Sequence, residues 1–221
     1  EPKALDISHS CTSPTNIGLS LLANLAAYDF GYVSVSQLIG RTNQQLQAME
    51  KLERFHGHFY NWYDTQSLKP LTPIYISTVD SGNLAGYLLT LKSGLVELPN
   101  NKIIPARLFE GLADTLLVIS DIIDKLVKPE ERTDEFSDAG KKKIGISPEA
   151  LMQLNRLQDE LKNTPPRNNQ DSPQTLKSAK TQLDHILILI IKLIESLGTD
   201  IDGELKWWMN ALKEQCQNFI S

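Results

Sequence analysis

The residues best suited to chemistry lie in one short run, Phe55-His56-Gly57-His58-Phe59-Tyr60-Asn61-Trp62-Tyr63-Asp64-Thr65. Five of the chain's fifteen aromatic residues and two of its four histidines fall here, and no helical period organises them. Sugars present apolar C–H faces and polar hydroxyl rims. A site for them needs flat rings beside Asn, Asp, His or Ser groups that satisfy the hydroxyls, and this run supplies both. On an extended backbone Phe59, Asn61 and Tyr63 face one way, and His58, Tyr60, Trp62 and Asp64 the other. One set then anchors the loop and the other lines a site. The competing reading is that the rings only pack an irregular loop against helices. His56 and His58 share a face if the run is a strand, but no third ligand follows at compact spacing. Structural histidines, and no metal, are the expectation.

A second segment, Ser77-Thr78-Val79-Asp80-Ser81-Gly82-Asn83-Leu84-Ala85-Gly86, opens a helix. Asp80 or Ser81 is suited to cap it by accepting its orphan N–H groups. The same small and polar groups at a helix start also suit ligand hydroxyls or anions. Ser13-Pro14-Thr15-Asn16 repeats the device on an earlier helix. Two helix starts flanking an aromatic loop suit a pocket at one end of a helical barrel. Glycosidic-bond chemistry needs two facing carboxyl groups. Asp64 and Asp80 are the carboxylates inside these segments and hence the candidates for catalysis, although neither is marked as a general acid. No glycine-rich phosphate cradle or Ser/His/Asp arrangement is evident.

The elements that position these groups read as helices. Apolar spacing predicts helices from Ser13 to about Asp29 and from Val35 to Glu53, the latter with Leu38, Leu46, Met49 and Leu52 inward. Pro70 and Pro73 forbid a helix between Phe55 and Thr78. A third helix follows Asp80, and a fourth starts at Pro105 with Leu108, Leu112, Leu116, Ile119, Ile123 and Leu126 along one face. Ser147-Pro148-Glu149 starts a fifth, running to about Asn163. A sixth, from about Pro173 to Leu197, is apolar on most faces, and Ile201 to Phe219 forms the last. Between Lys128 and Lys143 ten of sixteen residues are charged, which predicts a solvated excursion. Thr164 to Asp171 reads as a linker. The expected fold is all-α with one irregular aromatic loop.

At 221 residues, 41% of them hydrophobic, the chain has material for a substantial core. With a net charge of −5 and scattered Lys and Arg, it lacks the basic face that nucleic acid requires. Cys11 and Cys216, at opposite ends, read as reduced thiols of a cytoplasmic-type compartment. The longest unbroken apolar run, Ile186–Ile191, is far shorter than the roughly 20 residues of a membrane span. The chain begins at Glu1 rather than Met, which reads as a piece of something longer.

Three stretches carry a resemblance to a known family: SPTNIGLSLLANLAAYDFGYVS, MEKLERFHGHFYNWYDTQSLKPL and YISTVDSGNLAGYLLTL, within residues 8–98. Long, ordered and similarly spaced, they resemble the cyclic β-1,2-glucan synthases, and Leu205-Lys206-Trp207-Trp208 is similar as well. In that family a membrane-embedded glycosyltransferase region that uses UDP-glucose precedes a glycoamylase-like middle region and a phosphorylase-like C-terminal region. The resemblance places this chain at the start of the middle region, on the cytoplasmic side of the bacterial inner membrane. It implies part of an (α/α)₆ barrel that closes β-1,2-glucan into rings by transglycosylation. On this basis residues 1–127 form the first part of the domain, 128–147 a charged excursion and 148–221 further helices. The implied partners are a β-1,2-glucan chain and the rest of the parent polypeptide, with no cofactor in this stretch and UDP-glucose used elsewhere. The implied glucan-facing residues are His58, Tyr60, Asn61, Trp62, Asp64, Asp80, Ser81 and Asn83, joined by Asn16. Two alternatives stay open: a non-catalytic glucan-binding module, and a helical docking module whose important half is the long helices after Pro105, with their apolar stretch His185–Ile191.

Overall fold

A computed structural model describes residues 11–100, 105–127, 146–163, 176–198 and 201–220. The linker 164–171 and nearly all of the charged excursion 128–147 lie outside the described residues. Among the described residues the chain is all-α apart from strands of two residues each. It divides into two compact units, Glu1–Asp29 with Val35–Asn101, and Phe30–Ser34 with Lys102–Ser221.

The first unit holds helices α1 (Pro14–Asp29), α2 (Val35–Lys51) and α3 (Thr78–Glu97). Its strands are β1 (Cys11–Thr12), β2 (Arg54–Phe55), β3 (His58–Phe59) and β4 (Tyr63–Asp64). Helix α1 packs against both α2 and α3, which is why it carries apolar residues on more than one face. Leu21, Met49, Leu84 and Leu91 make the core, with Ile17, Leu25, Phe59, Leu88 and Leu95 around it. The α1–α3 contact is close because it passes over glycine: a Cβ on Gly18 would lie 2.5 Å from Cδ2 of Tyr87. On α2 the inward stripe is Leu38, Thr42 and Met49. Leu46, expected inside, stands at the edge of that stripe and is exposed.

In the second unit α4 (Arg107–Val127), α5 (Pro148–Lys162), α6 (Leu176–Leu197) and α7 (Gly203–Ile220) form a four-helix bundle. Helix α4 contacts α5 and α7, and α6 contacts the same two. The expected stripe Leu108, Leu112, Leu116, Ile119 and Ile123 is buried in its core. Ser147 caps α5, accepting from the Ala150 N–H at 3.1 Å. Most of the apolar run on α6 serves this core, with Ile186, Leu189 and Ile190 fully buried. A polar relay crosses the interior: Thr115 Oγ1 donates to Gln215 Oε1 at 2.8 Å, and Gln215 Nε2 donates to Gly31 O at 3.2 Å. Gly31 has φ +75°, and a Cβ there would lie 2.0 Å from Arg107 O, so only glycine fits. Cys11 and Cys216 are free thiols. Burial, and secondarily Asp184, pushes the Cys216 thiol up to about 12. No helix among the described residues is long and apolar enough to cross a membrane.

Candidate functional site

The aromatic run folds through two short pairings. Strands β2 and β3 make a hairpin with Arg54 opposite Phe59 and Phe55 opposite His58. Its two turn residues, His56 and Gly57, have φ +48° and +85°, as the turn matching strand twist requires. His56 is therefore a turn residue, and the extended geometry that would put it on one face with His58 is not present. Arg54 covers the Phe59 ring at 4.4 Å and donates to Met49 O at 3.0 Å, so Phe59 is held over the core.

Tyr63 then pins the loop. Fully buried, its hydroxyl accepts from the Tyr60 N–H and donates to Glu53 O, both at 2.7 Å. Burial raises the pKa of this phenol. Strand β4 pairs with β1, setting Tyr63 opposite Thr12 and Asp64 opposite Cys11. The Pro-containing return segment lies along β4: Leu71 N donates to Trp62 O at 2.9 Å, and Asn61 N to Tyr75 O at 2.9 Å. That pairing brings Tyr75, distant in sequence, beside Asn61.

Asn61 is the junction of the site. It is 5% exposed, and a buried amide requires partners. Its hydrogen-bond network fixes its orientation. The NH₂ points at Asp80 Oδ2 (3.2 Å), while the oxygen accepts from Tyr75 OH (2.7 Å) and Trp62 Nε1 (2.6 Å). Both rings remain open to solvent, Trp62 at 40% and Tyr75 at 50%. Two exposed aromatic rings are thus tethered by their polar edges to one buried oxygen. Behind them, Thr15 Oγ1 donates to Asp80 Oδ1 at 2.5 Å and accepts from Asn83 Nδ2 at 3.2 Å. The helix starts of α1 and α3 are joined through this carboxylate.

The hydroxyls of Ser77 and then Thr15 hold the Asp80 carboxyl below its ordinary range. Asp64 is also lowered, chiefly by the N–H and hydroxyl of Ser67. Its Oδ1 accepts from Ser67 N (2.6 Å), Ser67 Oγ (2.7 Å) and Gln66 N (3.1 Å), so it organises the turn after β4. Both candidates for catalysis are ionised near neutrality. Neither has the raised pKa that a proton-donating carboxyl needs.

Of the residues singled out in the sequence, Asn61, Trp62, Asp80 and Asn83 converge. Alternation holds for the inward set: Phe59 is half-buried and Asn61 and Tyr63 are buried, whereas His58 and Trp62 are exposed. His58 lies on the hairpin, Tyr60 is half-buried beside Tyr63 (ring centroids 6.5 Å apart), and Asp64 belongs to its own turn. Ser81 Oγ donates back to Ser77 O at 2.9 Å. The cap of α3 is neither Asp80 nor Ser81 but Ser77, which accepts from Asp80 N at 3.1 Å. Helix α3 thus starts one turn earlier, because Ser77 presents an acceptor three residues ahead of Asp80. Asn16 faces a different cavity, described below. Tyr75 went unmarked in the sequence, whereas Thr15 and Ser77 stood within the two marked helix starts without being named as site residues. The spacing Ser77-x-x-Asp80 was a legible cap, but nothing local marks Tyr75. Among the described residues no three His, Cys, Asp or Glu side chains gather as a metal site.

No family model matches the chain. The chain spans 7% of the length of a curated relative, the cyclic beta-(1,2)-glucan synthase NdvB of Rhizobium meliloti (strain 1021). Similarity to it extends past the stretches at residues 8–98 into the four-helix bundle: the two are 27% identical over 213 residues, 95% of this chain.

Proposed function

We propose that this chain is a piece of a cyclic β-1,2-glucan synthase and that its first unit presents an aromatic platform to a β-1,2-glucan chain. The observation that carries the reading is the double tether at Asn61, which aims two half-exposed rings from one buried oxygen. Rings held in this way lose little conformational freedom when a sugar stacks on them, which favours binding. The Asp80 carboxylate and Asn83 hold the frame, and their remaining acceptor and donor capacity suits sugar hydroxyls. In the longer enzyme the platform would serve the region that rearranges and closes the glucan, with the proton-donating carboxyl supplied from outside this site. The lowered pKa of both Asp64 and Asp80 supports that division of labour.

The test is calorimetric titration of the 221-residue chain with β-1,2-linked gluco-oligosaccharides, beside its Asn61→Leu and Trp62→Ala variants. Saturable binding in the millimolar range, weakened about tenfold or more in each variant, is expected for an open platform. Equal affinity in all three would end the reading. Of the helices after Pro105, on which the docking alternative rests, α6 has most of its apolar stretch occupied in the bundle core.

A further inference from the structure

A second feature of the first unit lies one residue from the platform. Thr15 serves Asp80, whereas its neighbour Asn16 lines a cavity of about 210 Å³ together with Thr12, Ile17, Ser20, Gln45 and Leu68, among others. The wall carries no charged side chain. Ile17, Met49, Leu52 and Leu68 give it apolar surface; Thr12, Asn16, Ser20, Gln45 and Thr65 give it neutral polar groups. The Gln45 amide is fixed in place, donating to Ser20 Oγ at 2.5 Å and accepting from Asn24 Nδ2 at 3.4 Å.

The turn that completes the cavity is strained. Leu68 has φ +58°, a left-handed conformation that costs a branched L-residue roughly 1–2 kcal/mol. The turn is held from behind by Leu68 N donating to Asp64 O at 2.9 Å and by the three bonds to Asp64 Oδ1. Persistent strain of this sort gathers at ligand clamps, and here it presents Leu68 to the cavity.

We infer that this cavity binds one neutral polyhydroxylated ring, a single hexopyranosyl unit, separately from the Trp62–Tyr75 platform. Its volume, below the roughly 300–1,000 Å³ of sites for drug-sized ligands, has room for one ring. An uncharged, mainly apolar wall edged by amide and hydroxyl groups offers no charge to pair with an ion and suits the apolar C–H face of a sugar with part of its hydroxyl rim. The inference rests on the glucan reading only for the identity of the sugar as glucose.

The test is amide NMR of the 221-residue chain titrated with methyl β-D-glucopyranoside, with cyclohexanol as an apolar ring of similar size. The glucoside should shift Asn16, Ser20 and Gln45 saturably, with a Kd of about 1–10 mM, and bind more tightly than cyclohexanol. Ala48→Trp, which fills the cavity from α2, should weaken binding by roughly tenfold or more while responses at Trp62 and Tyr75 persist. A Ser20→Ala/Gln45→Met double variant keeps the volume and removes polar groups; it should lose the glucoside and retain cyclohexanol. No saturation by roughly 50 mM, an unchanged response in both variants, or tighter binding of cyclohexanol would each overturn the inference. Failure of the platform itself would appear instead at Trp62 and Tyr75, with the cavity residues still responding.

Discussion

The indole N–H of Trp62 donates to the side-chain oxygen of its own sequence neighbour, Asn61, at 2.6 Å. A tryptophan on a surface loop ordinarily keeps rotamer freedom. This one is bound through its polar edge to a buried group that Asp80 holds from the other side. The ring is ordered without being covered, an arrangement suited to stacking on a ligand.

Removing the junction should cost stability as well as binding. Asn61→Leu keeps the volume but leaves the Trp62 N–H, the Tyr75 hydroxyl and one Asp80 oxygen without this partner. The expected loss is about 1–3 kcal/mol, the range for stranded polar groups. Urea denaturation measures it, and a loss within error of zero would show that the network is not maintained in solution.

Tyr63→Phe removes a hydroxyl that serves two backbone groups, Tyr60 N–H and Glu53 O. A destabilisation of about 1–3 kcal/mol is expected, with fast hydrogen exchange at the Tyr60 amide. The same exchange experiment on wild type should show that amide protected.

Asp80 gives the first unit a definite pH dependence. Its folded pKa is depressed, by the Ser77 hydroxyl first and the Thr15 hydroxyl second. Its contribution to stability is therefore present above the unfolded carboxylate value, roughly 3.9, and is lost as pH falls through the folded value. Thermal melts between about pH 2 and 6 should fall more steeply in wild type than in Asp80→Asn. Parallel profiles would contradict the assignment.

Gly31→Ala tests the second unit. The position has positive φ, and an added Cβ would meet backbone at Arg107. A loss of about 2 kcal/mol or more is expected, since both strain and overlap act. Gly57→Ala offers a control: its φ is also positive, but nothing lies within 4 Å of the new Cβ, so only the smaller backbone term should appear.

The helices were legible because apolar residues recur at three and four positions, and the stripe of α4 is buried as its spacing requires. The inward set Phe59, Asn61 and Tyr63 was legible from a different period, since alternate residues of an extended chain face the same way, although Tyr60 is half-buried as well. Tyr75 was hidden because its place is set by a backbone pairing across Pro70 and Pro73, and no local pattern encodes a contact of that kind. Asp64 carries a local role that its chemistry did not announce: the turn residues Gln66 and Ser67 engage its Oδ1, as an Asp before a polar turn commonly allows.

The platform is tested most directly by the emission of Trp62 in a chain where Trp207 and Trp208 are replaced by Phe, leaving one indole. Titration with a β-1,2-linked gluco-oligosaccharide should shift that emission saturably, and Tyr75→Ala should weaken the response about tenfold or more. An emission that stays constant throughout the titration, or a response untouched by Tyr75→Ala, would contradict the account.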